Sequence, residues 1–247
     1  MASLEYKAGI FALTGICGLI DAACFLALGG VFAELMTGNF LLLAFSIGTH
    51  SLEWGRIIAY VGAIGPFCIG ALLTGLICNG KIPVGSRLIG YPVEFAAIAT
   101  ATLLAIITNP TPVPPLEAEI HTNPHPTWQQ LTIVGLLAFA MGIHNALMRK
   151  RGVPDVATNV MTLTLTGFVS ESRLAGGKAP HWQRRIGSIL IFIVGAAAGA
   201  WLLQFGVAAP LIAATLVFAI ALWPLMKGRA DPGPITGYAK TDPEPAT

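Results

Sequence analysis

The sequence predicts an all-α membrane protein with about six transmembrane helices and two re-entrant or broken polar helical segments, arranged as an inverted internal repeat. Three observations predict it. The 247 residues are 55% hydrophobic and 11% charged, with a mean hydropathy of +0.73, outside the range of ordinary soluble domains. Apolar runs of about 18 to 23 residues recur, each long enough at ~1.5 Å per residue to cross a hydrocarbon core of ~30 Å. They are continuous rather than alternating, so they read as helices and not as barrel strands. Finally, motifs of the first half return in the second.

The spans, in order, are 8–30, 57–78, 91–108, 129–148, 186–205 and 207–226. Lys7 precedes the first apolar run, but that run carries Asp21 and continues without a small-residue cleavage site, so it reads as a span and not as a cleavable signal. Cys17, Cys24, Cys68 and Cys78 all fall in apolar runs and behave as small hydrophobes, which implies neither a disulfide framework nor a zinc site. Two stretches differ. Residues 33–48 hold Glu34, Thr37, Gly38 and Asn39 before a short apolar run, and residues 156–170 hold Thr158, Asn159, Thr162, Thr164 and Thr166.

Charge placement decides whether those two stretches cross. If both dip in and return to the side they came from, with a cytoplasmic N-terminus, every one of the 14 Lys and Arg residues except Arg56 is cytoplasmic. If both cross, Arg149, Lys150 and Arg151 are stranded outside. The sequence therefore favours six spans, two re-entrant segments and both termini on the cytoplasmic side. The first half-repeat is 1–109, the external Pro-rich loop 110–127, the second half-repeat 128–227, and 228–247 a disordered cytoplasmic tail.

The repeat rests on three echoes. Gly18, Asp21 and Ala22 return as Gly142, Asn145 and Ala146, an offset of 124. Met36 and Thr37 return as Met161 and Thr162, and Phe67, Gly70 and Ala71 as Phe192, Gly195 and Ala196, both at 125. Three spans per half start the second copy on the opposite side of the membrane, which makes the repeat inverted.

Asp21 leads the functional residues, because a carboxylate in a span costs about 2.5–3.5 kcal/mol unless it faces protein or water. Its counterpart Asn145 is a neutral amide with His144 beside it. A second role for Asp21, accepting hydrogen bonds that lock the re-entrant segment, is compatible with the first. Gly38 is expected to allow the chain to turn, with Thr37 and Asn39 capping the half-helix that follows. The amides of such a half-helix suit an anionic group, a place Glu34 can itself fill; Glu34 reads equally as an interfacial side chain reaching water. Asn159, Thr162 and Thr164 offer hydroxyl and amide groups to a polar solute, or simply mark close helix packing.

No nucleophile, metal set, nucleotide loop or cofactor motif is present, so neither an enzyme nor a cofactor is expected. The near-neutral net charge of +2, with basic residues confined to short loops, argues against nucleic acid. The expected partners are the lipid bilayer and a small polar or anionic solute of unknown identity; a homo-oligomer stays open. A transporter, proton-coupled through Asp21 or Glu34, leads over a channel framed by two half-helices and over a non-transporting scaffold or partner subunit.

The same motifs carry a resemblance. Gly18, Asp21 and Ala22, the run from Gly29, Gly30 and Phe32 to Met36, Thr37, Gly38 and Asn39, and Phe139, Met141, Gly142, Asn145 and Ala146 resemble the YoaK family of bacterial integral membrane proteins, over residues 8–227. In the second half that family shows Thr-Gly, whereas here Leu163 follows Thr162 and the glycine comes at Gly167. The resemblance implies a membrane protein carrying a domain of unknown function, with no substrate attached.

Overall fold

A computed structural model describes residues 4–48, 54–79, 86–112, 126–151, 161–178 and 182–227. Its helices are α1 (Leu4–Ala27), α2 (Met36–Gly48), α3 (Trp54–Cys78), α4 (Ser86–Thr108), α5 (Trp128–Arg151), α6 (Met161–Ser170), α7 (Trp182–Leu202) and α8 (Ala208–Lys227). Among the described residues, six helices are long and apolar enough to cross a membrane. With 13 and 10 residues, α2 and α6 are not. At ~1.5 Å per residue they extend only about 20 and 15 Å, well short of a bilayer core. The proline-rich loop from 113 to 125, Thr158, Asn159 and the tail 228–247 lie outside the described residues.

Four helices form the centre: α1 packs on α8, α8 on α4, α4 on α5, and α5 touches α1. The remaining two spans sit outside, α7 against α1 and α3 against α5, with α2 on α3 and α6 on α7. Outward faces carry Phe40, Phe45, Leu72, Ile193, Val194 and Ile220, all exposed. An apolar surface of this extent is unfavourable in water and is what a lipid-facing surface requires.

Helix directions bear on whether α6 crosses. Thr102 of α4 bonds the Leu211 carbonyl and the Thr215 hydroxyl of α8, while Phe95, two turns earlier, meets Phe218, further along α8. The two helices are therefore antiparallel. A crossing by α6 would make α4 and α8 parallel; their antiparallel packing fits an α6 that returns to the side it came from.

The repeat is visible in the element boundaries. Adding 124 to Leu4–Ala27 gives 128–151, the bounds of α5, and adding 125 to Met36 gives Met161, the start of α6. It is equally visible in the packing. A Cβ on Gly18 would strike the Phe192 carbonyl, and one on Gly142 would strike the Phe67 carbonyl; likewise Gly70 abuts the Phe139 carbonyl and Gly195 the Gly15 carbonyl. Each contact maps onto its twin by the offsets 124 and 125. Both seams join an inner helix of one half to an outer helix of the other, with the partner helices running parallel. The axis relating the halves passes beside Cys17 and Met141, which are 124 residues apart and whose sulfur atoms lie 3.8 Å from each other.

Several boundaries differ from the sequence expectation. The first span ends at Ala27 rather than 30, because Gly29 and Gly30 adopt φ of 106° and 72°, a left-handed backbone that stops the helix. α7 ends at Leu202 and continues as a 3₁₀ turn, Leu203–Phe205, before Gly206 at φ 112° starts the step into α8.

Candidate functional site

A buried polar network occupies the middle of this apolar bundle, and it begins with the loop between α1 and α2. Past Gly29 and Gly30 the chain crosses back over the end of α1, with Phe25 and Phe32 stacked at 4.6 Å. Buried backbone amides in such a loop must find acceptors. Asp21 Oδ1 accepts from the amides of Ala33 and Glu34, at 2.9 and 2.8 Å. From α2, Asn39 reaches back to the same loop: its Oδ1 accepts from the Phe32 amide at 2.8 Å, and its Nδ2 donates to the Phe32 carbonyl at 2.7 Å.

With its backbone held by Asp21, Glu34 sends its fully buried side chain to α5. Glu34 Oε2 accepts from Asn145 Nδ2 at 3.0 Å, and the second hydrogen of that amide goes to the Met141 carbonyl at 2.9 Å. The next residue, His144, places Nδ1 3.1 Å from Glu94 Oε1 of α4, both side chains buried; its ring also reaches Cys17. Three carboxylates, an imidazole and two amides from α1, α2, α4, α5 and one loop thus lie within a few residues of the axial Cys17–Met141 pair.

Placed against the expectations, the site changes in its details. Asp21, Glu34, His144 and Asn145 converge. Glu34 is buried and not at an interface with water. Gly38 is not the hinge: it sits inside α2, where a side chain would collide with the Phe32 ring at 2.7 Å, and the turn belongs to Gly29 and Gly30. Thr37 is exposed on the outer face of α2 and caps nothing. Asn39 secures the loop rather than the helix end. The amides at the start of α2 bond loop carbonyls, Met36 to Glu34 and both Gly38 and Asn39 to Leu35, while Asp21 takes the loop amides of Ala33 and Glu34. In α6, Thr164 is buried while Thr162 and Thr166 are exposed, so helical geometry scatters the threonines around the axis instead of lining one path. Asn159 lies outside the described residues.

Glu94 was absent from the expected set. Its signal was available: it is the one carboxylate in the third span, 91–108, and the fourth span contains one ionisable residue, His144, able to pair with it.

Residues 9–223 match the model of a family described as "Protein of unknown function (DUF1275)". The chain belongs to the DUF1275 family. No curated protein and no solved structure matches it. The DUF1275 match extends across all six spans and both short helices, so both halves of the repeat, and every residue of the polar network, fall within the family region.

Proposed function

We propose that this DUF1275 protein, in keeping with its YoaK-like motifs, is a transporter of a small polar solute, without enzymatic turnover, in the bacterial inner membrane with both termini cytoplasmic. One observation carries the reading: Glu34, from the re-entrant loop of the first half, is hydrogen-bonded to Asn145 of the second half beside their common axis. In inverted-repeat carriers, solutes and coupling ions bind near the midplane where the halves meet, next to interrupted helices. Ionisable groups are costly in that position, and three carboxylates there are better suited to protons, cations and hydrogen-bond donors than to an anion. Glu34 and Asn145 contact the solute, Asp21 and Asn39 hold the loop, and Glu94 with His144 supplies the proton store. A second reading draws on the hydrogen bonds of Asp21 and Asn39 to the loop backbone: the network is a lock that only maintains the fold.

Purified protein in liposomes separates them. The transporter predicts saturable flux of at least one solute from a panel of amino acids, polyols and amines, driven by a pH gradient and lost in Glu34→Leu. No flux across the panel, with Asp21→Asn defective only in stability, sinks the transporter and leaves the lock. Orientation is tested by reporters fused at Leu52 and Lys178, expected outside and inside respectively.

A further inference from the structure

Asp21 Oδ2 and Asn145 Oδ1 are among the network's buried oxygens that have no donor among the described residues. Both residues are more than nine-tenths buried. Neither orphan can be removed by reorienting its group. Asp21 Oδ1 is held by two backbone amides. Asn145 Nδ2 spends both hydrogens on oxygen acceptors, Glu34 Oε2 and the Met141 carbonyl, so flipping the amide would set oxygen against oxygen twice. Leaving a buried acceptor without a donor is costly, and here both are fixed in place.

The positions are not random. Asp21 and Asn145 are repeat equivalents, since 145 − 21 = 124, and each lies four residues, one helical turn, beyond an axial residue, Cys17 or Met141. Both are joined to the same residue, Asp21 to the Glu34 amide and Asn145 to the Glu34 carboxylate, and the Asp21 and Glu34 carboxylates stand within electrostatic reach of one another. What such a set attracts is positive charge. An amide oxygen does not take up a proton near neutral pH, so protonating Asp21 does not by itself satisfy Asn145. A hard metal ion is satisfied by mixed carboxylate and amide oxygens; a divalent ion, however, wants six or more oxygen ligands or retained water.

We infer that Asp21, Glu34 and Asn145 form a binding site for an alkali-metal cation of the sodium class, with Asp21 Oδ2 and Asn145 Oδ1 as ligands. This builds on the transporter reading of the same network, to which it adds a coupling ion. Binding is measured at equilibrium without flux, so the two fail separately.

The full chain in lipid nanodiscs is unfolded thermally in sodium, potassium, lithium and N-methylglucamine chlorides at equal ionic strength, with a sodium titration of the midpoint. The midpoint is expected to rise in one alkali salt over N-methylglucamine. Asn145→Leu, which removes the amide ligand, is expected to weaken the apparent affinity by about tenfold or more. Asn145→Asp, which adds a charge at the ligand position, is expected to tighten it, an outcome that loss of folding cannot mimic. Equal midpoints in all four salts overturn the site, as does a sodium response unchanged in both Asn145 variants. A midpoint that follows pH but no alkali ion means that Asp21 carries a proton instead, and also overturns it.

Discussion

The two packing seams of the molecule are copies, and the two short helices they support are not. Where Gly18 meets Phe192 and Gly142 meets Phe67, backbone lies against backbone in both halves, at positions related by 124 and 125. At the re-entrant segments the same offsets relate Asn39 to Thr164 and Thr37 to Thr162. There the chemistry diverges: Asn39 makes two hydrogen bonds to its loop, whereas Thr164 is buried in a shorter helix that is tied instead to α7 by the Glu171–Arg185 ion pair. The seams have to survive for six helices to pack in lipid, where close van der Waals approach replaces the hydrophobic effect between helices. The segments between them are free to specialise.

That contrast can be broken or sharpened by reversible unfolding in lipid–detergent micelles. The largest effect is expected at the Glu94–His144 pair, which has no repeat copy: Glu94→Leu leaves His144 without its carboxylate and costs about 3–5 kcal/mol, whereas Glu94→Leu with His144→Leu recovers most of it. Recovery by the double variant confirms that the pair is not needed for the fold; a double variant as unstable as the single one contradicts that. Next come the seams. Gly18→Ala and Gly142→Ala each push a methyl group into a facing carbonyl and cost about 1–3 kcal/mol, with the two losses agreeing to within about 1 kcal/mol if the seams are energetic as well as geometric copies. Smaller is the re-entrant pair: Asn39→Ala orphans the Phe32 amide and costs about 1–3 kcal/mol, against about 1 kcal/mol or less for Thr164→Ala. Equal losses there would mean the segments have not diverged. Least of all are Thr37→Ala and Thr162→Ala, both exposed, expected within about 0.5 kcal/mol of wild type.

Much of the fold could be read without coordinates, for reasons that differ by element. The spans are long and apolar, and charge or proline marks most of their ends, so composition locates them. The repeat surfaced because glycines at close approaches tolerate no substitute: Gly18, Gly70, Gly142 and Gly195 are the residues that make the echo. The site was legible in part. Asp21, Glu34, His144 and Asn145 are polar among apolar neighbours and announced themselves. Glu94 did not, because a lone carboxylate near the start of a span looks interfacial until its partner across the bundle is known. The hinge was misplaced for a related reason: ELMTGNF is the polar stretch, but the left-handed turn falls earlier, at Gly29 and Gly30, where the sequence is apolar and only torsion angles reveal the bend. Thr37 was assigned a cap because threonine often serves as one, and helical phase turned it outward.

The sulfur contact between Cys17 and Met141 has a consequence for how this chain can vary. In a pair of identical half-length chains, any residue on the axis faces its own image, and every change there is made twice. A carboxylate beside the axis would bring a second carboxylate, and a bulky side chain would collide with itself. Joining the halves in one polypeptide removes that constraint, so a thiol can sit against a thioether, and the carboxyl group of Asp21 can be answered by the amide of Asn145. The covalent link between halves is thus what allows the centre of a symmetric scaffold to have two unlike sides.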